Sequence, residues 1–330
     1  MFLTVTPNPS QDQTLELAAP LVPGGVHRIV GAISQAGGKG INVARVLATA
    51  GLPVTALLTS PTVALPGGVP AAASCPVVGG VAELGLNYAL APAAGPARIN
   101  IALTDANGQT TKVNGAGAPF TAQHAAALTE AVQSRLPGTR WLVLAGSLPP
   151  GLPPTWYAQM VELARAAGVK VAVDASDVPL AAIAQRLPAA APHLIKPNSE
   201  ELAQLVGADA ADLEAAASAG DLLPVARAAS ALVADGVESV LATLGVAGAV
   251  LATADGAWFA KSPTVAVAST VGAGDSALAG YLIALAKGDD APARLANAVA
   301  YGAAAAAQPG TGLATPALAA QLAAEATLLY

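Results

Sequence analysis

The chain of 330 residues is long enough for one large α/β domain, alone or with a smaller appended one. Hydrophobic residues make up 54%, yet aromatic residues are only 3% and charged residues 11%, so alanine rather than large side chains accounts for the apolar character. The formal net charge of −6 disfavours bulk electrostatic attraction to nucleic acid, and we expect no nucleic-acid partner.

The beginning of the chain favours a cytoplasmic protein without a membrane partner. Residues 1–6 lack a basic region, and Pro7 ends their apolar run too early for a signal peptide. Residues 61–82 carry no charge, but prolines and glycines interrupt them, which argues against a membrane-spanning helix. Cys75 is the only cysteine, so the chain has neither a disulfide framework nor a cysteine zinc site.

The first elements predict a parallel sheet. Residues 3–6 are expected to form a buried strand, with Asp12 in the loop that follows, and residues 26–33 a strand apart from the main sheet. Residues 54–58 predict the next strand. Because a helix is expected between the first strand and this one, the order is β-α-β.

That intervening helix opens on glycines, in residues 36–40, with Lys39 at the joint. The stretch is not a Walker loop, because no serine or threonine follows the lysine. A lysine at a glycine-opened helix suggests a site for an anionic group. The alternative is an ordinary turn with a solvated lysine.

Residues 97–104 and 109–113 alternate around a turn signal and predict a hairpin with polar alternate positions. Such a hairpin suits a small sheet that covers a site on one face. Arg98 could direct its guanidinium at an anion, or it could be an exposed strand residue.

From residue 121 onward, helices alternate with apolar strands, and polar or glycine residues follow the strand ends. Ser147, Asp174, Asn198 and Thr243 are examples. The carboxyl ends of parallel strands lie at one edge of a sheet, where open α/β sheets bind ligands. The repeated occurrence of polar or glycine residues at strand ends predicts a ligand site at that edge.

The most informative stretch is residues 269–276, between a predicted strand at 264–267 and a predicted helix. A glycine-rich helix start attracts an anion. Asp275 would repel a phosphate there, unless it serves as a general base for a hydroxyl that attacks phosphorus. The alternatives are a helix-capping acid and a dinucleotide-binding fingerprint, and the second lacks the βαβ context that it requires.

At residues 37–44 and 270–275, in that order and far apart, the sequence resembles the two signatures of the PfkB (ribokinase-like) family of sugar kinases. Residues 8–12, 146–151 and 196–201 are similar to its hexose-phosphate branch. The resemblance implies one ribokinase-like domain over residues 1–330, a doubly wound, mostly parallel sheet flanked by helices. It also implies a small β-sheet lid from about residues 10–35 and 88–115, through which two subunits pair as a homodimer.

The resemblance also implies the roles of individual residues. Asp275 would be the catalytic base, and the amides of Gly272, Ala273 and Gly274 the anion hole. On the acceptor side, Asp12, Gly38 and Asn42 would bind sugar hydroxyls. Lys39 and Arg98 would hold the phosphate already on the sugar, and Ser147 would lie beside the substrate. The nucleotide would be held by Lys196, Asn198, Thr243, Gly245, Gly248 and Asn297, and Mg²⁺ through water by Asn198 and Glu201.

The implied reaction is ATP- and Mg²⁺-dependent phosphorylation of fructose 1-phosphate at its C6 hydroxyl. Lys39 favours 1-phosphofructokinases and tagatose-6-phosphate kinases over the minor 6-phosphofructokinases, yet all three activities stay open, as does a non-catalytic sugar-phosphate-binding regulator. Residues 174–177 depart from the branch pattern, and Ser269 replaces an aspartate of many sugar kinases. Residues 308–312 stand where some relatives build a monovalent-cation site, so K⁺ is a further candidate cofactor.

Overall fold

A computed structural model describes residues 1–330, which form fourteen strands and eleven α-helices. The strands are β1 (Phe2–Thr6), β2 (Ser10–Leu17), β3 (Ile29–Gly37), β4 (Val54–Ser60), β5 (Tyr88–Pro92), β6 (Arg98–Thr104), β7 (Thr110–Asn114), β8 (Trp141–Ala145), β9 (Lys170–Asp174), β10 (Leu194–Ile195), β11 (Ser239–Thr243), β12 (Gly248–Thr253), β13 (Gly256–Lys261) and β14 (Ala326–Leu328). The helices are α1 (Lys39–Thr49), α2 (Pro76–Glu83), α3 (Ala122–Gln133), α4 (Trp156–Ala166), α5 (Asp177–Ala184), α6 (Ser199–Val206), α7 (Ala210–Ser218), α8 (Leu223–Ala234), α9 (Ala273–Lys287), α10 (Ala291–Ala306) and α11 (Pro316–Ala319).

Ten strands form the main sheet, in the order β14-β13-β12-β11-β10-β9-β8-β1-β4-β5. All neighbours from β5 to β11 are parallel, and β12, β13 and β14 extend the sheet in antiparallel pairing. The chain winds outward from β1 in both directions, first to β4 and later to β8. The predicted doubly wound fold is therefore confirmed, and the winding reverses between β1 and β8, where such sheets bind ligands.

Both faces of the main sheet are buried, which explains the nearly continuous apolar runs of its strands. Leu3 and Val5 belong to one core cluster of 42 buried residues, whereas Phe2 belongs to a second of 37. Alternate residues of one strand thus anchor helices on opposite faces. No helix combines the length and the apolar composition that crossing a membrane would require.

The second sheet has four strands, in the order β3-β2-β6-β7. Asp12 lies within β2 and not in a loop, because β2 is a mostly polar strand that pairs with β3 on one side and with β6 on the other. β5, at the start of the second segment assigned to the lid, joins the main sheet instead, because residues 88–92 pair in parallel with β4. The small sheet therefore uses residues 10–37 and 98–114.

Candidate active site

The amino-terminal ends of α1 and α9 meet at the carboxyl ends of the central strands. Gly40 packs so closely on β1 that a Cβ there would lie 2.7 Å from the Val5 carbonyl oxygen. Asn42, two residues further along α1, donates from Nδ2 to Oδ2 of Asp275 at 2.8 Å. The two stretches that carry the family signatures are therefore joined by a direct side-chain hydrogen bond.

α9 begins after Gly272, whose φ of 76° lies in the left-handed region that glycine adopts without steric cost. The first backbone bond of the helix runs from Ser276 N–H to the Gly272 carbonyl at 2.8 Å. The amides of Gly274 and Asp275 consequently have no intrahelical acceptor, whereas the amide of Ala273, also predicted for the anion hole, donates to the Thr270 carbonyl at 3.5 Å. Free amides at a helix start, with the helix dipole behind them, form a site for an anion.

Asp275 is 6% exposed and lies beside this amide cluster. Burial, together with repulsion from Asp174, raises the pKa of Asp275 to about 6, while Lys39, the Asn42 hydrogen bond and Lys196 act in the opposite direction. A carboxyl group with a pKa near 6 is ionised at neutral pH and is still basic enough to accept a proton from an alcohol in the transition state.

Two lysines reach one buried carboxylate next to this cluster. Lys39 Nζ donates to Asp174 Oδ1 at 2.9 Å, and Lys196 Nζ lies 3.3 Å from Asp174 Oδ2. A Cβ on Gly274 would lie 3.3 Å from Lys196 Nζ, so this ammonium group adjoins the free amides of α9. The attraction of Asp174 raises the pKa of Lys39, although the partial burial of the lysine acts in the opposite direction. Both lysine side chains lie close enough to Asp275 to lower its pKa.

The carboxylate of Asp12 lies on the face of the small sheet that adjoins the start of α1. Its Oδ1 accepts hydrogen bonds from Ser10 Oγ at 2.7 Å and from Asn100 Nδ2 at 2.9 Å. A Cβ on Gly37 would collide with the carboxylate. A Cβ on Gly38, where φ is 130°, would lie 2.6 Å from Thr6 Cγ2. The glycines therefore let the start of α1 approach Asp12 closely, and Oδ2 is left to accept from a ligand hydroxyl.

Arg98 and Ser147 lie near one another through Asn8. Arg98 donates from Nε to the Asn8 carbonyl at 3.1 Å and from Nη1 to the Gly115 carbonyl at 3.3 Å. Asn8 Nδ2 in turn donates to Ser147 Oγ at 3.3 Å. Burial lowers the pKa of Arg98, and the attraction of the Asp12 carboxylate acts in the opposite direction. The sequence assigned Arg98 and Lys39 to the same phosphate of the sugar. In the structure their charged neighbours differ, since Arg98 lies near Asp12 and Lys39 near Asp174.

A cavity of about 680 Å³ opens on the other side of the α9 start. Asn198, Thr243, Gly245 and Gly248 line it, as the sequence predicted for the nucleotide. The sequence reasoning missed much of the remaining lining, which consists mainly of small or apolar residues of the 262–267 loop and of α10: Ser262, Pro263, Thr264, Val265, Val267, Ala298, Val299, Gly302, Ala303 and Ala306. Asn297 is not in the lining, because its Nδ2 donates to the Gly280 carbonyl of α9 at 2.6 Å.

Asn198 and Glu201 form a capping box at the start of α6. Glu201 N–H donates to Asn198 Oδ1 at 2.8 Å, and Asn198 N–H donates to Glu201 Oε2 at 2.9 Å. No cluster of three acidic, histidine or cysteine side chains could hold a metal ion by itself. This arrangement fits Mg²⁺, which keeps several waters and binds mainly to one or two carboxylates and to substrate phosphates. Glu201 Oε1, outside the capping bonds, is the oxygen that fits this use.

Sequence reasoning passed over two further residues of the site. Asp174, the last residue of a buried strand, was noted among the polar residues at strand ends, but no role in the site was assigned to it. Asn100 was expected merely as a polar hairpin position. Its Oδ1 is buried without a hydrogen-bond partner, and its Nδ2 orients Asp12. The position of Asp174 at a strand end was a signal that could have identified it.

Comparison with known proteins identifies the family to which the chain belongs. The pfkB family of carbohydrate kinases matches residues 79–318. The 1-phosphofructokinase of Xanthomonas campestris pv. campestris is 37% identical over 303 residues, covering 90% of this chain and 88% of that protein. The 1-phosphofructokinase of Rhodobacter capsulatus is 36% identical over 314 residues, covering 91% and 89%. The structure of phosphofructokinase-2 from Escherichia coli in complex with potassium superposes with a TM-score of 0.82 at 27% identity, covering 97% of each chain.

The chain belongs to the pfkB family of carbohydrate kinases, and the resemblance drawn from its two signatures is confirmed. It is an ATP-dependent sugar kinase. The roles of the individual site residues stay predictions.

Proposed function

We propose that the protein transfers the γ-phosphoryl group of ATP to the C6 hydroxyl of fructose 1-phosphate, giving fructose 1,6-bisphosphate and ADP. The observation that carries the proposal is the buried Asp275 carboxylate, which stands in the first turn of α9 beside its free amides and accepts a hydrogen bond from Asn42 of α1. The relatives at 36% and 37% identity, both 1-phosphofructokinases, support this acceptor.

In this reaction the C6 hydroxyl oxygen forms a bond to the γ-phosphorus as the bond to the β–γ bridging oxygen breaks. The hydroxyl proton passes to Asp275, and ADP carries away the electron pair of the broken bond. Catalysis of this kind depends on positioning and on charge neutralisation. Lys39, Lys196 and the Gly274 amide supply positive charge where the phosphoryl group is transferred.

On the acceptor side, Asp12 would bind a sugar hydroxyl through Oδ2, with Gly38, Asn42 and Ser147 around the sugar. Arg98 would hold the phosphate that the sugar already carries, since two of its N–H groups serve carbonyls and the others are free. The charged neighbours of Lys39 are Asp174, Asp275 and Glu201, which supports a role nearer the transferring group.

The proposed donor is MgATP, bound along the 680 Å³ cavity. Bound Mg²⁺ would neutralise charge on the ATP phosphates. Glu201 and Asn198 would hold it through water, their orientation fixed by their reciprocal capping bonds. The reaction needs ATP and Mg²⁺, and we accordingly assign it to the cytoplasm.

We include K⁺ as a candidate activator. Thr311 Oγ1 is buried without a hydrogen-bond partner, in the turn that precedes Leu313. Leu313 adjoins Gly272, where a Cβ would collide with its side chain. A cation bound in this turn would therefore adjoin the start of α9. The potassium complex of phosphofructokinase-2 from Escherichia coli supports the assignment.

We further propose that the small sheet is a lid over the acceptor side of a single domain, and that it pairs two subunits. Asp12 and Asn100 are cross-strand neighbours on one face, and Gln13, Ile101 and Val113 are neighbours on the other. Of the second face, Val113 is 55% exposed. An exposed apolar sheet face supports association with a second copy.

The test is turnover with a panel of fructose 1-phosphate, fructose 6-phosphate and tagatose 6-phosphate, with ATP and Mg²⁺. We expect the highest kcat/KM with fructose 1-phosphate, and ³¹P NMR should identify the product as fructose 1,6-bisphosphate. A higher kcat/KM with either other sugar would reassign the acceptor. Absence of turnover with all three would contradict the proposed function.

A further inference from the structure

Asp174 ends β9 in the middle of the site and is 1% exposed. Burial raises its pKa, but the attraction of Lys196 and Lys39 outweighs that effect, and the net pKa is lowered. A carboxylate buried this deeply is stable in its charged form only when it is well paired. Two ammonium groups pair with it, and they come from different parts of the chain.

The two lysines come from the two sides of the proposed reaction, acceptor and nucleotide. Lys39 is the first residue of α1, next to the residues proposed for the acceptor. Lys196 follows β10 and adjoins Gly274, one of the residues with a free amide at the start of α9. One carboxylate thus fixes one cation from the acceptor side and one from the nucleotide side. The Asp174 backbone takes part too, because its carbonyl accepts from Gly146 N–H at 3.0 Å, just before Ser147.

The geometry leaves most lysine donors free for a ligand. Lys39 uses one of its three N–H groups on Asp174 Oδ1. The 3.3 Å approach of Lys196 to Oδ2 is an ion pair without hydrogen-bond geometry, since Oδ2 has no hydrogen-bond partner. The side chain of Lys39 is 37% exposed, so it could be solvated without Asp174. Burial of Lys39 therefore does not explain the contact.

We propose that Asp174 is a positioning residue for the transferring phosphoryl group: it holds the Lys39 and Lys196 ammonium groups on either side of the transfer centre. The proposal rests on the phosphoryl-transfer function proposed for the same site and names a residue on which that function depends. Asp174 touches the lysines and acts through them.

The test is Asp174→Asn, which keeps the size of the side chain and removes its charge. We expect kcat to fall about 100-fold, the scale of loss that follows misplacement of a catalytic group by about 1 Å. Binding of ATP and of fructose 1-phosphate, each measured alone by calorimetry, should stay as tight or become tighter, because the lysines lose their compensating negative charge. A merely structural role would instead weaken binding and turnover in parallel.

A double-mutant cycle with Lys39→Met sharpens the test. If Asp174 acts through Lys39, the substitution should lower kcat by a smaller factor in the Asp174→Asn background than in the wild type. Equal factors in both backgrounds would overturn the proposal. If Asp174→Asn does not fold, the double variant Asp174→Asn/Lys196→Met replaces it, because that variant loses one charge of each sign. The decrease in kcat that Lys39→Met causes is then measured in this double variant and in Lys196→Met alone, and the two factors are compared.

The matched control is Glu162→Gln, which breaks the surface ion pair with Arg186 at 2.7 Å and should leave kcat and both affinities unchanged. A wild-type chain without turnover would contradict the proposed function itself. An active wild type with an equally fast Asp174→Asn variant would contradict only the positioning role.

Discussion

Among single residues, Asp275 has the clearest chemical assignment, because its carboxylate is buried yet has one hydrogen-bond donor, Asn42 Nδ2. We predict that Asp275→Asn lowers kcat by a factor of about 10² to 10⁴, the range that general base catalysis contributes. Asparagine keeps the size of the side chain but cannot accept the hydroxyl proton. Both substrates should still bind, which calorimetry can check. A kcat within tenfold of the wild type would rule out Asp275 as the base.

The raised pKa of Asp275 makes a prediction about pH. Because the base must be deprotonated, kcat/KM for the sugar phosphate should rise as the pH increases from 5 to 7, with a midpoint at about 6. The phosphate groups of the substrates also titrate near this pH. A comparison of two enzymes is therefore needed to assign the midpoint to Asp275.

Asn42→Leu supplies that comparison. The hydrogen bond from Asn42 favours the ionised form of Asp275, so its removal should move the midpoint to higher pH. Ionisation of the substrate would be unaffected by this change. The pH–rate profiles of the wild type and the variant, recorded with the same substrates, decide the matter. Coincident midpoints would assign the titration to the substrate.

At the scale of elements, α9 has a left-handed glycine at each end, and this offers a matched pair of substitutions. At Gly272 a Cβ would collide with Leu313, whereas at Gly288, with φ of 88°, no other atom lies within 4 Å. Either change to alanine should cost about 1–2 kcal/mol of stability for the left-handed conformation. We predict that Gly272→Ala also lowers kcat, because the clash displaces the free amides at the helix start.

Gly288→Ala is the control, since it carries the same backbone cost at the far end of the helix. Its kcat should match that of the wild type, while its free energy of unfolding falls. Denaturant unfolding and steady-state kinetics of both variants make the comparison. If the two variants had equal kcat values, the placement of the α9 start would not limit turnover.

The elements differ in how far the sequence could predict them. Glycines that open α1 and α9, and polar residues after buried strands, are local signals with a direct physical meaning, so the sheet edge could be predicted. β2 gave no such signal, because its residues are mostly polar and only partly buried, so no apolar alternation marks the strand. The pairing of Lys39 with Asp174 joins residues 135 positions apart, and no local pattern encodes it.

At the scale of the whole molecule, the small sheet carries both the residues proposed for the acceptor and the face proposed to pair two subunits. Its strands alternate between a polar face with Asp12 and Asn100 and an apolar face with Ile99 and Ile101. A lid that served only as a cover would have a polar outer face. Apolar residues on both β6 and β7 at this face are typical of a surface that is covered by a partner.

We therefore predict that the wild type sediments as a dimer at micromolar concentration and that Ile99→Asp/Val113→Asp is a monomer. Ile99 and Val113 are 46% and 55% exposed, so aspartate should not disturb the core, but two charges would be desolvated in the interface. Leu328→Asp, at a residue 60% exposed on the outer strand β14, is the control and should remain dimeric. Sedimentation velocity gives the masses. A monomeric wild type, or a lid variant with the mass of a dimer, would show that this face does not pair subunits.

Because β2 and β6 carry Asp12 and Arg98 as well as the apolar face, loss of the dimer should also raise KM for the sugar phosphate more than KM for ATP.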